Sequence, residues 1–153
     1  MIEVTLTLSE VMSAAVIGIS RQLQSMKMNL TNQHGTEGND WQIHIEGALG
    51  ECAAAKAIDR YWPATVGTFK MGGDVGMIQV RTRSRHDYEL IIRKNDDMDA
   101  SFVLVTGTAP TYRVWGWHNA GDARKDEWLR SHGGRPPAWF VPHEALRPLG
   151  ELP

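Results

Sequence analysis

The spacing of apolar residues changes from a helical period to a strand period at Trp62 and Pro63, and this change restricts the fold more than any other feature of the sequence. Before it, apolar and small residues recur every three or four positions, which predicts helices over residues 8–29 and 43–60. After it, short runs rich in β-branched and aromatic residues alternate with glycine, proline and aspartate turns, which predicts strands. The predicted strands cover residues 64–71, 76–84, 88–94, 101–107 and 111–118.

The predicted helices have different apolar faces. We expect Ser9 to cap the first helix, with Glu10 in its first turn. The second helix carries small residues at helical spacing, so it can lie close to a sheet. A third helix is predicted at 120–131, followed by a proline-rich tail that lies over the core. The apolar stripe of the first helix consists of Val11, Ala14, Ala15, Ile17 and Ile19.

The order of these elements predicts an α+β fold with an α/β-type core, in which a central mixed sheet of about five strands is flanked by helices. The length of 153 residues favours one domain, residues 1–153. Within it we distinguish an N-terminal helix and loop at 1–42, a core at 43–131 and a C-terminal tail at 132–153.

The composition excludes several classes of protein. The formal net charge is −2, so any contact with nucleic acid has to come from a local basic patch and not from the charge of the whole chain. Cys52 is the only cysteine, which excludes an internal disulfide and a cysteine-based zinc site. The apolar run at 11–19 is too short to cross a bilayer. We therefore expect a soluble cytoplasmic protein with no membrane partner.

The stretch GGDVGMIQVRTRSR, residues 72–85, combines residues that can bind a metal and a phosphate. Two glycines lead into Asp74, and a short strand follows. Because strand side chains alternate between faces, Gln79, Arg81 and Arg83 share the face opposite the apolar positions. A carboxylate, an amide oxygen and a guanidinium that lie close together could hold a divalent cation against a phosphate group.

Together with Glu51 in the helical segment GALGECAAAKA, these residues resemble the PD-(D/E)XK nuclease superfamily, and above all the small endonuclease-like proteins encoded by bacteriophages. In that superfamily a helix glutamate precedes a strand aspartate, and the next strand carries an acidic residue, one apolar residue and a lysine. Glu51 and Asp74 match the first two positions. Gln79 stands in place of the second acid, and Arg81 stands in place of the lysine. The resemblance covers residues 45–118.

The resemblance implies a metal-dependent DNA endonuclease that hydrolyses phosphodiester bonds with Mg²⁺ or Mn²⁺. It implies Glu51, Asp74 and Gln79 as metal ligands, and the same three residues with Arg81 as catalytic residues. Two departures from the pattern matter. Gln79 offers an oxygen without a charge, so metal affinity should be lower. Arg81 can orient a phosphate but cannot act as a general base, because the pKa of a guanidinium lies above about 12.

A basic cluster on two consecutive predicted strands favours a DNA-binding patch that follows backbone phosphates. The simpler interpretation is a solvated sheet face, balanced by the acidic turn at 95–99. Glu51 and Asp74 likewise have ordinary interpretations, as a solvated helix residue and a turn residue. The basic cluster consists of Arg81, Arg83, Arg85, Arg93 and Lys94, with His86. The residues expected to bind DNA are Arg83, Arg85, Arg93 and Lys94.

Two other functions stay open on the sequence alone. The missing carboxylate at Gln79 favours a catalytically impaired nuclease-fold protein that binds DNA or a host protein. The near-neutral charge and the apolar tail favour a structural or assembly protein. The resemblance also leaves a homodimer open, because many nucleases of this fold act as dimers, although no residue of the sequence demands one.

Overall fold

Residues 1–28, 39–67 and 72–153 are described by the structure, a computed structural model. Two helices and seven strands lie in these ranges. In chain order they are β1 (Ile2–Thr5), α1 (Leu8–Lys27), α2 (Asp40–Ala57), β2 (Ile78–Arg83), β3 (Leu90–Arg93), β4 (Ser101–Thr108), β5 (Thr111–Asn119), β6 (Leu129–Arg130) and β7 (Ala138–Val141). Neither α1 nor α2, the helices of the described ranges, is long and apolar enough to cross a membrane.

The strands form two sheets, so the fold is α+β with a mixed main sheet. The main sheet has four strands in the order β1-β5-β4-β2, and β2 runs parallel to β4 while the other pairs are antiparallel. The second sheet is antiparallel, with the order β3-β7-β6. The expected α+β fold with a central mixed sheet flanked by helices is confirmed, but among the described residues this sheet has four strands and not about five, and the second sheet was not expected. The strand β3 leaves the main sheet because β7, from the C-terminal tail, supplies its partner.

The main sheet separates two hydrophobic cores. On one face, α2 packs its alanines against Ile78, Val80 and Val103. On the other face, the second sheet packs against Phe102 and Leu104. The strand β4 is thus buried on both sides, which explains its continuous apolar run.

Close approach of the helices to their neighbours depends on glycines. A Cβ atom on Gly18 of α1 would lie 2.4 Å from the Cα atom of Ile45 in α2. A Cβ atom on Gly50 of α2 would lie 1.8 Å from the hydroxyl oxygen of Thr82 in β2. Real side chains do not tolerate such distances, so these two positions let α1, α2 and the sheet form three closely packed layers.

Local hydrogen bonding explains where the expected helices differ from the observed ones. Thr7, not Ser9, caps α1, because its hydroxyl accepts from the backbone of Glu10 while the Glu10 carboxylate accepts from the backbone of Thr7. The expected helix at 120–131 is wrong. The Asn119 side chain accepts from the backbone of Gly121 and Asp122 and forms a turn there.

The remaining differences concern strands. A strand was expected at 64–71, but residues 64–67 do not belong to any sheet, and residues 68–71 lie outside the described residues. Residues 29–38 of the expected loop also lie outside the described residues. The strands β1, β6 and β7 were not expected. They have two to four residues each, too short to show a clear alternation of apolar and polar side chains.

Candidate functional site

Glu51 is a buried residue of α2 with both carboxylate oxygens bonded. Arg21 of α1 donates from Nη1 to Oε1 at 2.6 Å and from Nη2 to Oε2 at 2.8 Å. The indole Nε1 of Trp62 donates to Oε2 at 3.1 Å. Burial disfavours the Arg21 cation, but the hydrogen bonds and the charge of Glu51 outweigh burial and raise the Arg21 pKa. The interpretation of Glu51 as a solvated helix residue is therefore wrong.

Asp74 lies beside β2, at the edge of the main sheet as the described residues define it. Its backbone N–H donates to the carbonyl of Ile78, so the chain turns back on itself before the strand begins. Its Oδ2 atom accepts from the backbone N–H of Val80 at 2.7 Å. The strand β2 is the last in the main sheet, and the Asp74 carboxylate thus satisfies an N–H group of the sheet edge.

The two acids lie within each other's electrostatic field. Burial raises the pKa of Asp74 from 3.8 to about 6, and the negative charge of Glu51 adds to this. The hydrogen bond from Val80 and the charges of Arg81 and Arg21 act in the opposite direction, but are weaker. Two cations, Arg81 and Arg21, thus act on Asp74 together with the negative charge of Glu51.

Gln79 and Arg81 lie on the opposite face of β2 from Glu51. The helix α2 covers the face that carries Val80 and Thr82, whereas Gln79 and Arg81 point toward the second sheet. Since ligands of one Mg²⁺ ion all lie about 2.1 Å from it, Gln79 and Glu51 do not converge on a single cation in this arrangement.

Arg81 has partners on its own side of the sheet. Its Nη2 donates to Asp96 Oδ1 at 2.6 Å, and its guanidinium lies 4.5 Å from the ring centroid of Phe102. The amide of Gln79 donates to the carbonyl of Gly72 at 3.4 Å. Both side chains line a cavity of 850 Å³ that also borders on the acidic turn at 95–99. The two expected catalytic side chains thus line a cavity with the acidic turn, while the charge of Arg81 still acts on Asp74.

A cavity of 610 Å³ between the 83–96 region and the C-terminal tail is rich in basic side chains, and we call it the arginine cavity. Burial lowers the pKa of Arg83, and the nearby charge of Arg135 adds to this. Burial lowers the pKa of Arg93 as well, with contributions from neighbouring arginines. The cations that line the cavity are Arg83, Arg93, Lys94, Arg130 and Arg135.

The sequence grouped three of these cations correctly but for the wrong reason. It predicted Arg83, Arg93 and Lys94 on neighbouring strands, yet β2 and β3 belong to different sheets. They meet because the two sheets face each other. The fourth expected residue, Arg85, is an exposed turn residue that forms a bidentate pair with Asp87.

Sequence reasoning missed Arg21, Arg130 and Arg135. A signal for Arg21 was present, because a lone arginine in an apolar helix needs an acidic partner. No comparable signal marks Arg135, which reaches the cavity through the tail segment 131–137 that precedes β7.

The described residues contain no group of three or more histidine, cysteine, aspartate or glutamate side chains that could hold a metal ion. Asp74 alone fits a divalent cation in part. It is a partly buried carboxylate, and its Oδ1 accepts no hydrogen bond from the described residues. The negative charge of Glu51 acts on it together with the positive charges of Arg81 and Arg21. Glu51 adds charge to this site, but Arg21 occupies its oxygens.

Comparisons with family models, curated proteins and solved structures found no match for this chain.

Proposed function

We propose that the protein binds DNA and hydrolyses its phosphodiester bonds with a divalent cation held at Asp74. The observation that supports this most is the acid pair. Burial and, after it, the charge of Glu51 raise the Asp74 pKa to about 6, and this costs folding energy that a purely structural site would avoid. A bound divalent cation removes that cost.

The roles of the residues follow from their contacts. Asp74 would hold the cation, and Glu51 would add negative charge behind it. Arg21 holds Glu51 in place through two hydrogen bonds. When bound, Mg²⁺ or Mn²⁺ supplies an activated water and stabilises negative charge on the phosphate. Gln79 is left out of this ligand set, because it lies on the other face of β2 from Glu51.

The arginine cavity supports the DNA part of the proposal. Arg83, Arg93 and Arg135 repel one another, and the acidic neighbours Glu89 and Asp96 offset part of this repulsion. A phosphate group would relieve the rest while accepting hydrogen bonds from guanidinium groups. The negative net charge of the chain makes such a local patch necessary for any contact with DNA.

A cleavage assay tests the proposal. Supercoiled plasmid, single-stranded circular DNA and a branched duplex are each incubated with Mg²⁺ or Mn²⁺ and wild-type protein, Asp74→Asn or Asp59→Asn. Asp59 is an exposed carboxylate with a φ of 52°, which asparagine also adopts, so that variant is the matched control. We expect wild type and Asp59→Asn to cleave and Asp74→Asn to be inactive. If wild type is as inert as Asp74→Asn on all three substrates with both metals, the endonuclease proposal fails.

A second candidate is a DNA-binding protein without nuclease activity, and the Arg21–Glu51 pair favours it. The guanidinium fills the position next to Glu51 that a metal would need. This function predicts salt-sensitive DNA binding, no cleavage, and no rise in melting temperature with Mg²⁺. A calorimetric titration that finds one Mg²⁺ site in wild type and none in Asp74→Asn would contradict it.

A further inference from the structure

The outer face of α1 carries a continuous apolar stripe that no described residue covers. Six large side chains on this face are between 39% and 75% exposed. At about 100° of rotation per residue, they fall within an arc roughly 80° wide. The residues of this α1 stripe are Leu8, Met12, Val16, Ile19, Leu23 and Met26.

The α1 stripe has the spacing of a helix-pairing seam. From Met12 to Met26, its members follow one another at intervals of four, three, four and three residues. This seven-residue repeat is the pattern with which one helix packs along another. The opposite side of α1, with Ala14 and Gly18, already packs on α2. The stripe is therefore a second apolar face of the helix, which the core does not use.

We propose that the α1 stripe is the interface of a homodimer, in which two copies of α1 pack antiparallel across a two-fold axis. In that arrangement the stripe is complementary to itself. Leu8 would meet Met26 of the second copy, Met12 would meet Leu23, and Val16 would meet Ile19, because each pair is centred at the same point near residue 17.

The charges of α1 favour a second copy over a different partner. Glu10 and Arg21 are both directed to α2, where they bond Lys56 and Glu51. Lys27, in the last turn, lies near the edge of the stripe. Two antiparallel copies place these lysines at opposite ends of the seam, whereas a parallel pair would bring them together. Apart from Lys27, no charged residue of α1 lies beside the stripe, so the helix offers little to an oppositely charged partner.

The area is sufficient for a specific dimer. The stripe exposes roughly 600 Å² on each protomer, so pairing would bury on the order of 1,200 Å², the lower end of specific interfaces. An apolar patch of this size is also at the upper end of what monomeric proteins leave in contact with water. This inference does not depend on the proposed nuclease function.

Sedimentation equilibrium of the full chain tests the dimer. We expect wild type and Met98→Glu to dimerise, and Val16→Glu/Leu23→Glu to be monomeric, with a dissociation constant raised at least about 100-fold. Met98 is 54% exposed and lies outside the stripe, so it is the matched control. Circular dichroism checks that each variant is folded. A wild type that stays monomeric, whether or not it binds lipid vesicles, would overturn the proposal, as would a dimer that survives in Val16→Glu/Leu23→Glu.

Cysteine crosslinking tests the orientation. Cys52, the native cysteine, is buried, so introduced thiols are the accessible ones. Under mild oxidation, Met12→Cys/Leu23→Cys should give a covalent dimer, whereas Met12→Cys alone should not. Efficient crosslinking of Met12→Cys alone would show a parallel pair and overturn the antiparallel arrangement.

Discussion

Arg21 of α1 holds both carboxylate oxygens of Glu51 in α2, with nitrogen–oxygen distances of 2.6 and 2.8 Å. The pair joins the two helices at the place where Glu51 also raises the pKa of Asp74. Two carboxylates therefore share a poorly solvated site with the charges of Arg21 and Arg81. The raised pKa of Asp74 and the buried ion pair make the stability of the protein sensitive to pH and to the loss of either partner.

Stability should fall as the pH rises through the titration of Asp74. The folded-state pKa is raised from 3.8 to about 6, so the folded protein binds this proton more tightly than the unfolded chain does. The proton's stabilisation is complete below about pH 4 and is lost as the pH rises through about 6. Two pKa units correspond to at most about 3 kcal/mol, and partial solvent exposure reduces that value.

Thermal unfolding of wild type and Asp74→Asn between pH 4 and pH 8 measures this effect; these pH values span about two units on either side of the titration. The asparagine oxygen can still accept the hydrogen bond from Val80. We expect Asp74→Asn to be more stable than wild type at the alkaline end and no more stable at the acid end. Parallel pH profiles for the two proteins would contradict the raised pKa.

Removal of Arg21 should be more harmful than removal of Arg21 and the Glu51 charge together. Arg21→Met leaves Glu51 buried and unpaired beside Asp74, which should lower the free energy of unfolding by about 3 kcal/mol. Glu51→Gln in that background should restore much of the loss. Urea unfolding of wild type, both single variants and the double variant completes the cycle. Additive effects would mean that the pair contributes no coupling energy.

Gly50→Ala should destabilise the protein, whereas Gly47→Ala in the same helix should not. A Cβ atom on Gly50 would lie 1.8 Å from the Thr82 hydroxyl, while a Cβ atom on Gly47 meets nothing within 4 Å. We expect a loss of about 1–3 kcal/mol for Gly50→Ala and a gain of about 0.5–1 kcal/mol for Gly47→Ala. Urea midpoints measure both changes. Equal effects at the two positions would show that α2 does not lie this close to β2.

Arg135→Ala should weaken DNA binding and reduce its salt dependence. If Arg135 neutralises one phosphate in the arginine cavity, the slope of log K against log salt should become less steep by about 0.9 for duplex DNA. Arg113→Ala is the control, because Arg113 lies on β5 and pairs with Glu3 away from the cavity. Fluorescence anisotropy across a salt series gives both slopes. An unchanged slope for Arg135→Ala would exclude the cavity as a phosphate site.

The fold was predictable where its signal is local. Both helices were placed within three residues of their observed starts, and β2 to β5 were located, because periodicity and turn residues act within a few positions. The partner of β3 was not predictable, since β7 lies almost fifty residues further along the chain. The helix expected at 120–131 was wrong because the side chain of Asn119 accepts a backbone hydrogen bond and forms a turn there.

The candidate site divides in the same way. Strand alternation correctly set Gln79 and Arg81 on the face away from the main apolar positions. It could not show that Glu51 lies beyond the opposite face, that Arg21 holds its oxygens, or that the tail brings Arg135 to the arginine cavity. Those contacts join residues separated by 30 positions or more along the chain.

The sequence by itself determined which segments become helices and strands and which residue types are available for chemistry, because hydrophobic period and side-chain chemistry are properties of neighbouring residues. Only the tertiary structure decided which charges meet, which are compensated and which apolar face of α1 stays open to water. Burial and electrostatic fields depend on distances in space, and the packing of two helices and two sheets sets those distances.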